Sequence, residues 1–285
     1  GFDPEFPKVD TDGEVARLKM KNLTNDLQFS NVSAAISPTQ WQASTFPEAF
    51  RNKITVIHDG IDTEAIRPNV NVKVEFRRPG TDLPMSLTRK DEVITFVNRN
   101  LEPMRGYHVF MRALPRLLTN HPNAKVIIVG GDGVSYGAKP TMEENGAATW
   151  KEVFLKEVRG RISDADWERV HFVGQVPHQT FISLLQLSTV HVYLTYPFVL
   201  SWSLLEAMSA GAAIVASDTA PVGEVISDGE NGLLVDFFSV EDLVGGIGRL
   251  LADSEYRNRL GEGARLTTIK RYDLKSVCLP VQINW

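Results

Sequence analysis

Cysteine is almost absent from this sequence, since Cys278 is the only one among 285 residues. A single thiol cannot form an internal disulfide, and no cysteine–histidine cluster has the spacing of a structural metal site, so a disulfide scaffold is excluded. Long apolar runs are missing too: none approaches the roughly 20 residues of a membrane-spanning helix. The opening residues GFDPEFPKVD contain neither an initiator Met nor the apolar stretch of a signal peptide. These absences predict a cytoplasmic protein.

An excess of positive charge is also absent. The formal net charge is −5, which argues against general attraction to nucleic acid or to an anionic membrane, although local basic residues can still bind phosphates. Apolar residues make up 43% of the chain and charged residues 23%, as in an ordinary globular protein. The length allows one large domain or two ordinary ones with a well-buried core.

The first part of the chain has little regular structure. A polar helix is predicted over about residues 13–28, and two short strands at Ser33–Ser37 and Ile54–His58 flank another helix. These elements cannot bury a core alone. Together with the missing Met, they predict that residues 1–70 are the tail of a preceding domain and that the chain is part of a longer protein. Residues 71–92 are irregular and charged, and they are predicted to form a linker or an edge hairpin.

From Val93 onward, apolar strands alternate with helices. The strands are VITFVN, AKVIIVGG, RVHFVGQV, VHVYLT, AIVASD and GLLVDF. Six buried strands separated by helices predict βαβ units and a parallel sheet covered on both faces. The right-handed crossover rule then favours a doubly wound, Rossmann-like α/β sheet over residues 93–270, with 271–285 as a C-terminal tail.

The unusual residues of this region follow the predicted strands. They occupy the segments Arg99–Gly106, Gly130–Gly137, Gly174–His178, Thr195–Ser203 and Ser217–Gly223. Open α/β sheets bind ligands at the carboxyl edge, where such segments meet. The most informative stretch runs from Leu194 to Asp236, because a helix carrying Glu206 begins there after a buried strand. The free N–H groups at a helix N-terminus suit phosphates, so a nucleotide site is predicted.

Several of these segments resemble one enzyme family. DGIDT, NRNLEPMRG, HFVGQVP and, above all, SLLEAMSAGAAIVASD and EVISDGENGLLVD are similar to family-4 (group 1) retaining glycosyltransferases of the GT-B fold. The resemblance extends from roughly Ser33 to Lys270. It implies two Rossmann-like domains facing a cleft, of which the C-terminal one binds a nucleotide sugar and the N-terminal one binds the acceptor. This chain is thereby identified as a donor-binding domain with a remnant of the acceptor domain.

The resemblance also implies the partners and the chemistry. The donor is a nucleoside-diphosphate sugar, and the acceptor is a glycan or a lipid-linked glycan bound through the missing N-terminal domain. No nucleic acid is expected, and peripheral membrane contact of the full-length protein is left open. No acidic metal motif is evident, so no cofactor and no metal are expected.

Two arginines and one glutamate match the family's donor-binding positions. Arg99 and Arg105 correspond to the two cations that contact the donor diphosphate, the second of which is Lys in family members. Spacing alone instead favours two surface arginines, one of them paired with Glu102. Glu206 matches the second acid of a Glu pair and is expected to bind the ribose hydroxyls. The alternative is a glutamate favoured by the helix N-terminal dipole.

The main departure from the family pattern is Phe198. The first acid of the pair, which contacts the donor sugar, is expected at this position. The backbone N–H groups of Val199, Leu200 and Ser201 remain able to bind sugar hydroxyls, as the matching loop does in the family. Alternatively, the hydroxyl of Ser201 or Ser203 only caps the helix.

Two further segments complete the predicted site. Gly131 lies in a glycine-rich loop near the expected cleft, and Gly174 to Val176 match the segment whose backbone holds the nucleotide base. Simple turn chemistry explains both segments equally well. None of the six histidines is spaced like a metal ligand, and each is interpreted as structural or solvated.

The predicted function is transfer of a sugar from a nucleoside-diphosphate sugar with retention, by an enzyme of which this chain alone is inactive. The first alternative, motivated by Phe198, is a non-catalytic nucleotide-sugar-binding or scaffold protein. A second alternative, from the fold alone, is an epimerase or phosphorylase of the same two-domain plan. Such phosphorylases hold pyridoxal phosphate on a lysine, and no lysine here has a recognisable context for it.

Overall fold

The structure, a computed structural model, describes residues 12–77, 84–142 and 146–285. Residues 1–11 of the predicted acceptor-domain tail lie outside the described residues. Within the described ranges, the predicted α/β architecture is confirmed, because a six-stranded parallel sheet carries helices on both faces.

The strands and helices follow one another regularly from residue 93 onward. In chain order the strands are β1 (Ala35–Ser37), β2 (Ile54–Val56), β3 (Lys73–Arg77), β4 (Pro84–Thr88), β5 (Val93–Asn100), β6 (Lys125–Gly131), β7 (Val170–Gly174), β8 (Val190–Tyr193), β9 (Ile214–Ser217) and β10 (Leu233–Val235). The helices are α1 (Asp12–Asn31), α2 (Gln40–Ser44), α3 (Glu48–Arg51), α4 (Tyr107–Asn120), α5 (Trp150–Arg159), α6 (Asp164–Trp167), α7 (His178–Leu187), α8 (Trp202–Ser209), α9 (Ala220–Gly223), α10 (Val240–Ala252), α11 (Ser254–Tyr272) and α12 (Leu279–Asn284).

The main sheet has the strand order β10-β9-β8-β5-β6-β7, and every neighbouring pair is parallel. The chain winds outward from β5 to β7 and then returns to β8 on the other side of β5. This is the doubly wound Rossmann order, and its reversal between β5 and β8 opens a crevice at the carboxyl edge. The predicted arginine and Glu206 segments follow these two strands.

The side chains of each strand alternate between the two faces of the sheet. Val215 packs into the core cluster on one face, whereas its neighbours Ile214 and Ala216 pack into the cluster on the other. On the first face, the rings of Phe96 and Phe110 stack with their centroids 4.4 Å apart. Both faces are therefore covered, as the continuous apolar runs predict.

The segment 71–92 contains an antiparallel pair, β3 and β4, in which Val74 lies opposite Leu87. The pair forms a two-stranded sheet of its own, outside the six-stranded sheet. Its residues Val74 and Leu87 are buried against Ile127 and Val129 of β6. Its connecting residues 78–83 lie outside the described residues.

The N-terminal segment also packs on the main domain. Strands β1 and β2 form a separate parallel pair. The backbone N–H groups of Gln40 and Trp41, at the start of α2, donate to the carboxylate of Glu224. The partial positive charge at a helix N-terminus is stabilised by such a carboxylate. The domain boundaries at residues 70, 92 and 270 stay predictions.

The C-terminal residues are mostly helical. Helix α11, which was not anticipated from the sequence, ends at Tyr272, and the extended residue Asp273 forms a β-bridge with Ile61. A π-helical stretch, Leu274–Cys278, then leads into α12. The end of α12 returns to the N-terminal segment, where the indole nitrogen of Trp285 donates to Thr55 Oγ1 at 3.0 Å. Across the described ranges, no helix combines the length and apolar character that crossing a membrane requires.

Candidate functional site

A cleft of about 570 Å³ lies at the carboxyl edge of the sheet, beside the reversal between β5 and β8. It is lined by Val97, Asn98, Arg99, Asn100, Arg105, Val129, Ser135, Tyr136, Gln175, Val176, His178, Phe181, Tyr193, Ser201 and Ser203. Four predicted site residues (Arg99, Arg105, Val176 and Ser201) thus line one cleft. The topology brings them together although they are spread over a hundred residues of sequence.

Arg105 is positioned by a tight turn between β5 and α4. The turn is a 3₁₀ segment, Pro103–Arg105, that ends at Gly106 with φ +68°. A Cβ at Gly106 would clash with the side chain of Leu194, so only glycine fits this conformation and this close approach. The amide of Asn98 also donates to the Arg105 carbonyl at 3.3 Å.

The guanidinium of Arg105 is held by side chains. It donates to Thr195 Oγ1 at 2.9 Å and to the Tyr136 hydroxyl at 3.3 Å. It also lies 4.8 Å from the ring centroid of Tyr136 and 5.8 Å from that of Phe198. No carboxylate of the described residues forms an ion pair with it. Arg105 is therefore a preorganised cation whose charge has no counter-charge in contact.

Arg99 is the second predicted cation. Its side chain is exposed, lines the cleft and has no hydrogen-bond or ion-pair partner among the described residues. Its carbonyl accepts from the Gln175 side chain at 3.3 Å, which joins the end of β5 to the loop after β7. The free guanidinium leaves all five of its N–H donors for a ligand.

Glu102 is not paired with either arginine, so the ion pair favoured by spacing alone is wrong. Its fully buried carboxylate accepts from three successive backbone N–H groups, those of Ser135, Tyr136 and Gly137, at 2.9, 3.2 and 3.0 Å. These bonds fix the loop after β6 and so place the Tyr136 ring beside Arg105. Sequence spacing cannot reveal this contact, because its partners lie more than 30 residues away.

Phe198 lies where the family pattern predicts an acid. It is 37% exposed, and its ring centroid is 4.3 Å from that of Tyr136. An aromatic pair therefore lies against Arg105, in place of the expected carboxylate. Such rings offer an apolar face and a cation–π contact but accept no conventional hydrogen bond from a sugar hydroxyl.

The start of α8 is capped by Ser201. The Ser201 hydroxyl accepts from the Ser203 N–H at 3.4 Å, and the Ser201 N–H donates to the Tyr193 hydroxyl at 3.2 Å. Burial raises the pKa of Tyr193, although the nearby Arg105 charge opposes that shift. The capping role is therefore present, and a sugar contact of Ser201 stays a prediction.

The loop before α8 leaves its backbone donors free. Within the described residues, the N–H groups of Phe198, Val199 and Leu200 make no hydrogen bond. The Leu200 side chain is buried in the core, which anchors the loop, while Val199 is half-buried. Free N–H groups beside a helix N-terminus suit anionic or hydroxyl oxygens.

Glu206 lies in the second turn of α8, one turn beyond the free N–H groups. It is 9% exposed, and its Oε1 lies 2.7 Å from His178 Nε2. His178 begins α7, directly after the loop that follows β7, and its side chain is largely exposed. The exposed ring agrees with the interpretation of this histidine as solvated. Its place in the cleft lining and its contact with Glu206 were not predicted.

The remaining predicted residues border the cleft. Gly131 ends β6, where a Cβ would lie 2.8 Å from Asn100 Oδ1 and 2.9 Å from Gln175 Nε2. Gly174 ends β7 with φ +67°, and Val176 forms part of the cleft wall. A base-binding role for these residues stays a prediction.

Across the described ranges, no group of three or more His, Cys, Asp or Glu side chains is placed to hold a metal ion. The expected metal independence stays a prediction.

The strand order and the cleft at its reversal define a doubly wound α/β domain of the Rossmann type. Residues 84–267 match the family described as glycosyl transferases group 1, and residues 1–66 match the glycosyl transferase family 4 group. Because the first match covers more than half of the chain, the chain belongs to the group 1 glycosyl transferases.

Curated relatives agree with this assignment. The D-inositol 3-phosphate glycosyltransferase of Acidothermus cellulolyticus is 28% identical over 217 residues, which cover 75% of this chain and 43% of that protein. Spore coat protein SA of Bacillus subtilis is 28% identical over 232 residues, covering 78% and 55% respectively. The chain thus spans about half the length of the curated relatives it matches.

Solved structures share the fold. Sucrose-phosphate synthase from Thermosynechococcus elongatus superposes with a TM-score of 0.72 at 19% identity, over 93% of this chain and 61% of that one. Anabaena HepE in complex with UDP and glucose gives 0.69 at 19% identity, over 92% and 65%. The predicted GT-B type fold with a doubly wound, Rossmann-like sheet is confirmed.

Proposed function

We propose that this chain is the donor-binding part of a retaining glycosyltransferase that moves a sugar from a nucleoside-diphosphate sugar to a glycan or lipid-linked acceptor. The observation that carries the proposal is Arg105, a cation without a paired carboxylate, fixed at the strand-order reversal of the sheet. Arg99 lines the same cleft, the free N–H groups of residues 198–200 lie in the loop directly before the lining residue Ser201, and the carboxylate of Glu206 contacts the lining residue His178. HepE, which shares the fold, was solved with UDP and glucose.

The chemistry of such a transfer matches these groups. When the bond between sugar and diphosphate breaks, negative charge grows on the departing diphosphate. Preorganised donors aimed at that charge lower the barrier, and guanidinium groups bind phosphate oxygens with two parallel hydrogen bonds. We assign this role to Arg99 and Arg105, supported by the N-terminus of α8. Glu206 accepts from the ribose hydroxyls, with His178 holding its Oε1.

The acceptor side is assigned to residues beyond this chain. The aligned residues cover only 43% and 55% of two curated relatives, which supports an enzyme whose acceptor half is elsewhere. The chain alone is therefore expected to bind the donor and transfer nothing. A cytoplasmic location, peripheral membrane contact of the whole protein and a metal-independent, cofactor-free reaction belong to the same proposal.

Phe198 supports a second candidate, a binding protein that has lost its chemistry. Its ring lies against Tyr136 and Arg105, where the family pattern has an acid. A protein with this site would bind the nucleotide while recognising the sugar poorly.

Calorimetric titration with nucleoside diphosphates tests the donor site. Wild-type chain is expected to bind one of them, and Arg105→Ala and Glu206→Ala are each expected to weaken binding at least tenfold, because each loses charge-assisted hydrogen bonds. Arg161→Ala is the matched control, since Arg161 is an exposed arginine outside the cleft lining. Absence of binding by the wild type would remove both candidate functions, and unchanged binding by Arg105→Ala would refute the assigned site.

A transfer assay separates the two candidates. The chain alone should transfer no sugar from any nucleotide sugar it binds, and measurable transfer would contradict the proposed division of labour. The full-length protein should transfer sugar with retention at the anomeric carbon. A full-length protein that binds the donor yet transfers nothing would favour the binding protein.

A further inference from the structure

A second cavity, of about 320 Å³, lies at the amino edge of the sheet, opposite the donor cleft. It is bounded by residues that precede β5, β8 and β9, and by one face of α11. Arg257 and Arg265 project from that face, and Arg89 comes from the segment before β5. Three arginines therefore line one cavity that is separate from the cleft described above.

Each arginine donates to the carbonyl end of a different helix. Arg89 Nη1 contacts the Gln186 carbonyl in α7 at 3.0 Å. Arg257 Nη1 contacts the Leu250 carbonyl in α10 at 2.7 Å. Arg265 Nη1 contacts the Ser209 carbonyl at the end of α8 at 2.6 Å. These bonds fix the three guanidinium groups around the cavity and use only part of their five donors each.

The helix ends do not balance the charge. Each helix C-terminus carries about half a negative elementary charge, so three ends offset only about half of the three positive charges. No carboxylate of the described residues forms an ion pair with any of the three arginines. Glu262 also lines the cavity, while burial, and after it the nearby cation Arg67, lower the pKa of Arg265.

The arginines also act on one another. Burial lowers the pKa of Arg257, and the neighbouring charge of Arg89 lowers it further, while Glu92 and Asp253 oppose the shift. Partly buried charges in proteins are usually paired, because removing a charge from water is unfavourable. A bound anion would accept from the guanidinium N–H groups around the cavity, which no carboxylate of the described residues contacts.

The shape of these groups indicates the class of anion. Planar guanidinium groups bind tetrahedral phosphate oxygens with paired hydrogen bonds. The cavity has about ten times the ~30 Å³ that one water molecule occupies in the liquid, which is room for more than one phosphoryl group. We propose that this cavity is a second anion-binding site that takes a phosphate-bearing ligand, separate from the donor cleft.

Titration with inorganic pyrophosphate tests the proposal. The full chain carrying Arg105→Ala is used, so that binding in the donor cleft is weakened. One pyrophosphate is expected to bind in the second cavity. Adding Arg89→Gln is expected to weaken that binding about tenfold, because one charge-assisted contact is lost.

Two further variants control for net charge and for folding. Arg161→Gln removes the same charge from outside the cavity lining and should leave pyrophosphate binding unchanged. Arg257→Lys keeps the charge and should retain binding within a few-fold, with folding checked by the unfolding midpoint. If Arg89→Gln and Arg161→Gln bind equally well, or if pyrophosphate does not bind and vesicles do not either, the proposal is overturned.

Vesicles distinguish a lipid headgroup from a free phosphate. Co-sedimentation is measured with phosphatidylglycerol vesicles and with neutral phosphatidylcholine vesicles. Binding to the anionic vesicles that Arg89→Gln abolishes identifies a headgroup as the ligand source. Pyrophosphate binding without vesicle binding identifies a soluble phosphate compound. Either result supports the shared phosphate chemistry, and vesicle binding insensitive to Arg89→Gln counts against it.

Discussion

The two edges of the six-stranded sheet hold their arginines with different partners. At the carboxyl edge, Arg105 donates to the side-chain oxygens of Thr195 and Tyr136. At the amino edge, Arg257 and Arg265 donate to main-chain carbonyls at helix ends. The first arrangement can exchange a side-chain partner for a ligand oxygen without moving the backbone. The second ties helices to each other and to the segment before β3.

Because of this difference, arginine substitutions at the two edges are expected to have different effects on ligand binding and on stability. Parallel sheets place loops at the carboxyl edge, where donors remain free for ligands. Helices in a βαβ unit run opposite to the strands, so their carbonyl ends gather at the amino edge and attract cations. Substitutions of carboxyl-edge arginines should weaken nucleotide binding and leave the free energy of unfolding almost unchanged. Substitutions of amino-edge arginines should lower the free energy of unfolding.

The largest change in the free energy of unfolding is expected from Glu102→Ala, a carboxyl-edge variant that is an exception to this difference between the edges. Glu102 belongs to the carboxyl edge, yet its loss leaves three backbone N–H groups without their acceptor. We expect the free energy of unfolding to fall by about 3 kcal/mol, measured by urea denaturation, with weaker nucleotide binding because Tyr136 loses its support. The free energy of unfolding of Glu102→Gln should lie between those of the wild type and Glu102→Ala, since the amide oxygen of Gln still accepts hydrogen bonds. Wild-type stability of Glu102→Ala would contradict this account.

Arg265→Ala and Arg105→Ala together test the difference between the two edges. Arg265 donates to the carbonyls of Ser209, Ile66 and Thr63 at 2.6, 3.3 and 3.3 Å, so its loss should lower the free energy of unfolding by about 2 kcal/mol. Nucleoside-diphosphate affinity, measured by calorimetry, should stay within twofold. Arg105→Ala is the counterpart, with weakened binding and a stability change below about 0.5 kcal/mol. The same pattern in both variants would remove the distinction between the edges.

The smallest effect is expected at His178. Its Nε2 lies 2.7 Å from Glu206 Oε1, and this contact orients the carboxylate proposed to bind ribose. His178→Ala should weaken nucleotide binding about fivefold, or about 1 kcal/mol, with little change in stability because the ring is largely exposed. His178→Gln should restore part of the affinity, since an amide N–H can make the same contact. Tighter binding by His178→Ala would show that the histidine competes with the nucleotide.

The sequence predicted the sheet strands well because their signal is local. Runs such as VITFVN and AKVIIVGG are continuous and apolar, and each became a strand buried on both faces. Helix α11 was missed because its sequence is polar and contains Gly261 and Gly263, which are poor helix formers. The structure explains why glycine occupies position 261: a Cβ there would lie 2.5 Å from the Gly211 carbonyl oxygen.

The candidate site was predicted only in part. Arg99 and Arg105 were predicted from a family pattern at the end of a strand, and the structure places both in the cleft lining. The partners of Glu102 and the contact of His178 with Glu206 were not anticipated, since residues 135–137 and 206 are distant in sequence. The ring of Tyr136 was not anticipated as a neighbour of Arg105 for the same reason.

Three properties could thus be read from the amino-acid sequence alone: the alternation of strands and helices, the carboxyl-edge position of the loop segments and the family pattern around Glu206. These properties depend on local apolar patterning and on short motifs. The tertiary structure alone decided which loops meet, that Phe198 and Tyr136 lie against Arg105, that His178 contacts Glu206, and that three arginines converge on the opposite edge. Such contacts depend on the order of strands in the sheet, which no short stretch of sequence encodes.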